Sequence, residues 1–362
     1  MKTLRSSTLL ALLLLTLAST LLGQEIPRTA AGKPDFTGFY NAATLTPLVR
    51  PAALGERMSL TDEEAAAIAQ RKADLYAADA VPSDPNRSAP EKGGTPIFDP
   101  GLEIASGGSG GYNAFYMDPG DGAFKIDGEW RTSILIDPTN GQFPPMTPAA
   151  QQKQAAMAMF MRANIDTGSA FWIDDEIGPY DNMEQRPLAE RCLLGFGSTA
   201  GPPMLPTLYN SMKRIVQNED HVMILIEMQH DARVFRVGGE HASDDIKHWL
   251  GDSTARWEGD TLVVTTLNPR TRYGLFKTSD DVPAGMVVEE RFSYLDADTL
   301  VYRFTVSDPE TWTGSWTGEY VWLRSDDKVY EYACHEGNYA MGNIMRGARI
   351  LEKDALAAKA EP

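Results

Sequence analysis

The chain has 362 residues, 43% of them hydrophobic, and a formal charge of −17 at neutral pH. Contacts to phosphate and anionic lipid draw on Lys and Arg, so a surface this acidic excludes nucleic acid and membrane surfaces as partners. Past the N-terminus no apolar run reaches the roughly 20 residues that a membrane-spanning helix needs.

Lys2 and Arg5 precede the apolar run Leu9 to Leu15, and small and polar residues follow to Gly23. That order predicts a cleaved signal peptide over residues 1–23, hence a periplasmic or secreted protein, with no cysteine at the cut to accept a lipid. From Gln24 to about Pro100 the chain is rich in Pro, Ala and Gly, with one helical signal. Thr61 and Glu64 fit a capping box that opens an Ala-rich run to about Ala78. Pro82 to Gly111 reads as irregular, and Gly107-Gly108-Ser109-Gly110-Gly111 has no following Lys to make it a phosphate cradle. Arg131 to Ile136 alternates into a strand, Asp137 to Gly141 turns, and Thr147-Pro148 opens a helix to about Ala163. Residues 24–204 are therefore expected to form a wrapping segment with two helices.

Beyond residue 205 the pattern becomes a succession of period-two runs separated by turns. Tyr209–Gln217, His221–Met228, Arg233–Val237, Ala255–Glu258, Thr261–Leu267, Met286–Tyr294, Thr299–Ser307, Thr317–Arg324 and Lys328–Cys334 all read as strands in antiparallel order. Trp257-Glu258-Gly259-Asp260-Thr261 and Leu295-Asp296-Ala297-Asp298-Thr299 read as tight hairpin turns. A sheet of that many strands must curl or close. The expected fold is mainly β: an antiparallel lipocalin-like barrel or sandwich over 205–352, ending in a disordered tail over 353–362. Barrels of this size either fill with side chains or hold one small ligand in the mouth.

Cys192 and Cys334 are the only cysteines. Export places them in an oxidising compartment, which predicts a disulfide between them; so long a loop implies about 4–5 kcal/mol in the chain-entropy picture. The rival is a pair of reduced thiols, one of them nucleophilic.

From about Lys33 to Glu352 the sequence resembles a large family of exported proteins of environmental bacteria. The resemblance rests on Gly32 to Gly38, Arg131-Thr132-Ser133 with Ile136-Asp137-Pro138, Arg191-Cys192 with Pro202 to Asn210, and Glu227 to Arg233. It continues through Gly251-Asp252-Ser253 with Trp257 to Val264, Asp308 to Trp312, and Cys334 to Tyr339. It implies export and a shared fold, and leaves the chemistry to the residues.

Two polar clusters could carry that chemistry. In His230-Asp231-Ala232-Arg233, a histidine between a carboxylate and a guanidinium suits a general base, with Arg233 holding a developing negative oxygen. As a plain turn, Asp231 would instead cap backbone amides and pair with Arg233. His335-Glu336-Gly337-Asn338-Tyr339 gathers two acid–base groups, an amide and a phenol beside Cys334, where a bridge would hold them rigid. The bland reading is a polar turn after a strand. A third set, Trp249, Trp257, Trp312, Trp316, Tyr320 and Trp322, includes Tyr320 and Trp322 on one strand face, either a stacking wall for a ligand or barrel core. The histidines 221, 230, 241, 248 and 335 show no metal-binding spacing, and 241 and 248 read as solvated loop residues. The one G-x-S-x-G match, Gly107 to Gly111, lies in that irregular stretch without the strand–turn–helix context of a nucleophile elbow.

The resulting expectation is a cofactor-free acid–base enzyme, a lyase, hydratase or isomerase, acting on a small organic molecule in the barrel mouth. His230 is the base, Asp231 orients it, and His335 or Glu336 is the acid. Arg233, Asn338 and Tyr339 hold the substrate oxygen, and Trp257, Trp316, Tyr320 and Trp322 contact the substrate. Its rivals are a non-catalytic ligand-binding barrel and a metal-dependent oxygenase or hydrolase using His230 and His335.

Overall fold

A computed structural model describes residues 25–82, 86, 117–164, 169–195, 197–271, 283 and 285–360. The expected signal peptide and the Gly-rich run at 107–111 lie outside the described residues, as does nearly all of the stretch from 82 to 111.

Five short strands come first: β1 (Gly38–Asn41), β2 (Ser59–Leu60), β3 (Lys125–Ile126), β4 (Glu129–Arg131) and β5 (Leu135–Asp137). Then follow β6 (Met212–Gln217), β7 (His221–Ile226), β8 (Ala232–Val237), β9 (Asp252–Glu258), β10 (Thr261–Leu267), β11 (Val287–Asp296), β12 (Thr299–Ser307) and β13 (Trp316–Arg324). Three helices accompany them: α1 (Asp62–Asp79), α2 (Pro148–Asn164) and α3 (Ala340–Ala360). The strands β6 to β13 are hydrogen-bonded in sequence order, and β1 pairs with both β6 and β13, closing a nine-stranded barrel. All neighbours are antiparallel except β8 and β9, which run parallel across the long loop 238–251. The barrel is therefore mixed.

The two expected helices form where their caps stand. Thr61 Oγ1 accepts from the Glu64 N–H while Glu64 Oε2 accepts from the Thr61 N–H, which completes the capping box of α1. Thr147 Oγ1 accepts from Ala150 N–H at the start of α2. Gly259-Asp260 and Ala297-Asp298 make the two hairpin turns, Gly259 at φ 61°.

Three expectations need correction. The closing strand is β1, from the supposed wrapping segment, while Lys328–Cys334 is not a strand at all. With β12 on one side of β13, and β1 and β5 on the other, β13 offers it no edge to join. The single strand expected over Arg131–Ile136 splits into β4 and β5. Thr132 Oγ1 donates to the Arg57 and Met58 carbonyls and Ser133 Oγ to that of Leu135, drawing the backbone out of the ladder. Finally, the tail is helical to Ala360. Ala348, Leu351 and Ala355 of α3 pack with Trp172, whose Nε1 donates to Glu352, and Lys359 pairs with Asp174.

Alternation sends one side chain in two into the barrel, which Ile224, Phe235, Leu262, Phe292, Tyr302, Phe304, Trp316 and Trp322 fill. Gly318 is required there, because a Cβ would lie 2.5 Å from the Phe304 ring. At the end bearing the β9–β10 turn, Phe36 stacks on Trp257 with centroids 5.7 Å apart, and Tyr294 OH donates to the Asp35 carbonyl. That end is capped by the N-terminal segment.

Candidate functional site

Cys192 and Cys334 are joined by a disulfide, as expected. Glu227 to Asp231 turn from β7 into β8, and the turn needs Gln229 and His230 at φ 63° and 54°. This loop docks onto both cysteine-bearing segments. Gln229 Nε2 donates to Cys334 Sγ at 3.0 Å, the Gly195 N–H donates to Asp231 Oδ2 at 3.0 Å, and the Tyr332 N–H donates to His230 Nε2 at 2.8 Å. A backbone N–H can only donate, so His230 Nε2 offers a lone pair and its proton sits on Nδ1. His230 and Asp231 thus fasten the loop to the bridge.

The second cluster lies beside the same bridge. His335 and Asn338, with Asn182, Met183, Glu184, Glu190, Arg191, Cys192, Leu193 and Met341, line an open pocket of about 400 Å³. Most of its polar lining is held in place. Glu190 makes a two-pronged ion pair with Arg186, and Arg191 donates to the Glu184 carbonyl. Asn338 Oδ1 accepts from the Ala340 N–H at the start of α3, and its Nδ2 lies 3.7 Å from Cys192 Sγ. Glu336 and Tyr339 are exposed and do not line the pocket.

Arg233 does not share this site. As the second residue of β8 it points into the barrel, where it is 3% exposed. Nη1 donates to Glu290 Oε1 at 2.6 Å, Nη2 donates to Thr266 Oγ1 at 2.9 Å, and Tyr302 OH donates to Glu290 Oε1 at 2.6 Å. Burial alone would lower the Arg233 pKa, but the Glu290 charge, the hydrogen bonds to Glu290 and the contribution of Tyr302 together outweigh it and the net shift is upward. Burial, then the Glu290 charge, pushes the Tyr302 phenol well above its usual range. Nearby Lys213 is also buried, and desolvation, helped by the Arg233 charge, lowers its amine to about 7.

The barrel mouth is not open to a ligand. Residues 198–205 run across it, with Ala200 and Met204 fully buried. Lys213 Nζ donates to the Thr199 carbonyl, the Met204 N–H donates to Tyr302 OH, and Tyr320 OH donates to the Met204 carbonyl. The expected substrate-contacting residues Trp316, Tyr320 and Trp322 are fully buried core, and Trp257 stands at the opposite end under Lys33. Among the described residues, no group of three or more His, Cys, Asp or Glu side chains is placed to hold a metal ion.

Two groups were given no role in the expected site. Glu227 is buried, with Oε1 accepting from Asn210 Nδ2 at 2.6 Å and Oε2 unpartnered; burial raises its pKa, against the Asn210 bond. His241, expected in solvent, bridges Asp252 and Thr254, its two ring nitrogens 2.9 and 3.0 Å from their oxygens. Separations of eleven and thirteen residues across an irregular loop leave no motif to find, and only the polar alternation of Asp252 and Thr254 hinted at a shared face. In comparisons with known proteins, no family model matches the chain and no curated protein matches it.

Proposed function

We propose that this is an exported enzyme of the acid–base class, in which the pocket beside the Cys192–Cys334 bridge takes a small polar molecule and His335 moves its proton. The observation that carries this reading is the lining of that pocket: a histidine, a carboxylate-bearing segment, Arg191 and an amide around about 400 Å³, within the size range of small-ligand sites. His335 is the proton carrier because Glu190 is engaged by Arg186 and Asn338 by the helix start. Arg191 supplies positive charge for an anionic group. Three of the stretches on which the expected resemblance rests, at Arg191-Cys192, Glu227 to Arg233 and Cys334 to Tyr339, meet at this bridge. Lyase, hydratase and isomerase chemistry all need such a proton transfer, which supports keeping the class expected from the sequence.

The test is a screen of small carboxylates, hydroxy acids and phenols by ligand-observed NMR, followed by product detection in the same tubes. The expected result is a binder turned over by the wild type, with His335→Gln keeping its binding and losing about 10²–10⁴ in rate. Turnover that survives His335→Gln in a folded protein sinks the assignment.

A further inference from the structure

A second constellation lies on the outer wall of the barrel, away from the bridge. Asp252 and Thr254 share the outward face of β9, and loop 238–251 brings His241 over them. Asp252 is 4% exposed and accepts from the Ala242 N–H at 2.9 Å, from Arg236 and from His241. Burial alone would raise its pKa, but these hydrogen bonds together hold the carboxyl below its usual range, so it is ionised at neutral pH. A carboxylate can only accept, so His241 carries its proton on Nδ1. Nε2 then presents a lone pair to the Thr254 hydroxyl, 3.0 Å away. His241 and Thr254 are both partly exposed.

We propose that Thr254, His241 and Asp252 form a second active site, a nucleophile, base and orienting carboxylate that transfer the acyl group of a small activated ester to water. A loop anchor needs only Asp252 with Ala242 and Arg236. It does not need the far nitrogen of the histidine on a hydroxyl of the next turn of the pleat, and that contact is the geometry of an activated nucleophile. In the first step Thr254 Oγ1 bonds to the ester carbonyl carbon while its proton passes to His241 Nε2, and the carbonyl electron pair moves onto oxygen. Arg236, paired with Thr254 across β8 and β9, is the cation beside that oxygen. As the carbonyl re-forms, the bond to the leaving alkoxide breaks, and the alkoxide takes the proton from His241. Water then attacks the acyl-threonine with the same base, releasing the acid and the free hydroxyl.

The experiment uses the full chain and p-nitrophenyl acetate. Expected are nitrophenol release above buffer, one acetyl group mapped to Thr254 after acid quench, and at least about a hundredfold loss in Thr254→Val and in His241→Gln. Thr254→Ser should keep the activity, and His221→Gln, at an exposed histidine of β7, should leave it unchanged, which separates the assigned base from a histidine that merely lies on the surface. Unfolding midpoints of the variants close to that of the parent show that the losses are not misfolding. No release above buffer, an acetyl group mapped elsewhere, or release that survives Thr254→Val overturns the proposal.

Discussion

Strands β8 and β9 carry two polar constellations on opposite faces, drawn from residues one or three positions apart. Inward go Arg233 and Ser253, into a sealed cluster with Thr266, Glu290 and Tyr302; outward go Arg236, Asp252 and Thr254, with His241 above them. The inner groups are fully buried and mutually engaged, with Arg233 and Glu290 side chains 1% and 0% exposed. The outer ones include a histidine a quarter exposed. The same alternation therefore builds a structural knot on one face and an accessible relay on the other. Ionisable groups near one another in sequence do not make a site; the face they take decides whether they hold the fold or meet a substrate.

The largest effect expected from breaking this contrast is at the inner knot. Glu290→Leu leaves Arg233 charged and buried without its partner, which should cost about 3–5 kcal/mol in urea unfolding. The double variant Arg233→Met/Glu290→Leu should recover much of that loss, because no lone charge remains. Strict additivity of the two single changes would show that the pair is not coupled. Next comes the bridge: Cys192→Ser/Cys334→Ser should cost about 2–5 kcal/mol and weaken binding in the adjoining pocket, while far-UV circular dichroism still reports an intact barrel. Loss of the barrel signal instead would mean that the bridge supports the whole fold.

The effect at Lys213 is spread over a pH range, so at any one pH unit it is the smallest step. Its amine titrates at about 7 in the folded protein against 10.5 ordinarily, so between those values the unfolded chain binds more protons. Stability should rise with pH across that window and be lowest below it, with a slope of at most about 1.4 kcal/mol per pH unit. Lys213→Met should flatten the slope. If the two proteins keep parallel pH profiles from 7 to 10.5, Lys213 is not held neutral by burial.

Local signals were legible wherever the determinant was local. The caps at Thr61 and Thr147, the turns at Gly259-Asp260 and Ala297-Asp298, and most barrel strands follow from adjacent residues. Partnership was not legible. The run Lys328–Cys334 has a strand-like pattern but finds no free edge on β13, the strand before it, while the four residues of β1 close the barrel because β6 and β13 both offer one. The site divided in the same way. The Cys192–Cys334 bridge followed from composition, but the inward turn of Arg233 and the filling of the mouth by residues 198–205 depend on packing.

The sequence by itself determined a mainly β chain, its two capped helices and the pairing of its two cysteines, since periodicity, capping chemistry and a count of two are properties of the chain alone. Only the tertiary structure decided which strand closes the barrel, that Arg233 belongs to Glu290 rather than to His230, and that His241 meets Asp252 and Thr254. Those are contacts between residues far apart along the chain, and they are set by which face and which edge is left free once the barrel has closed.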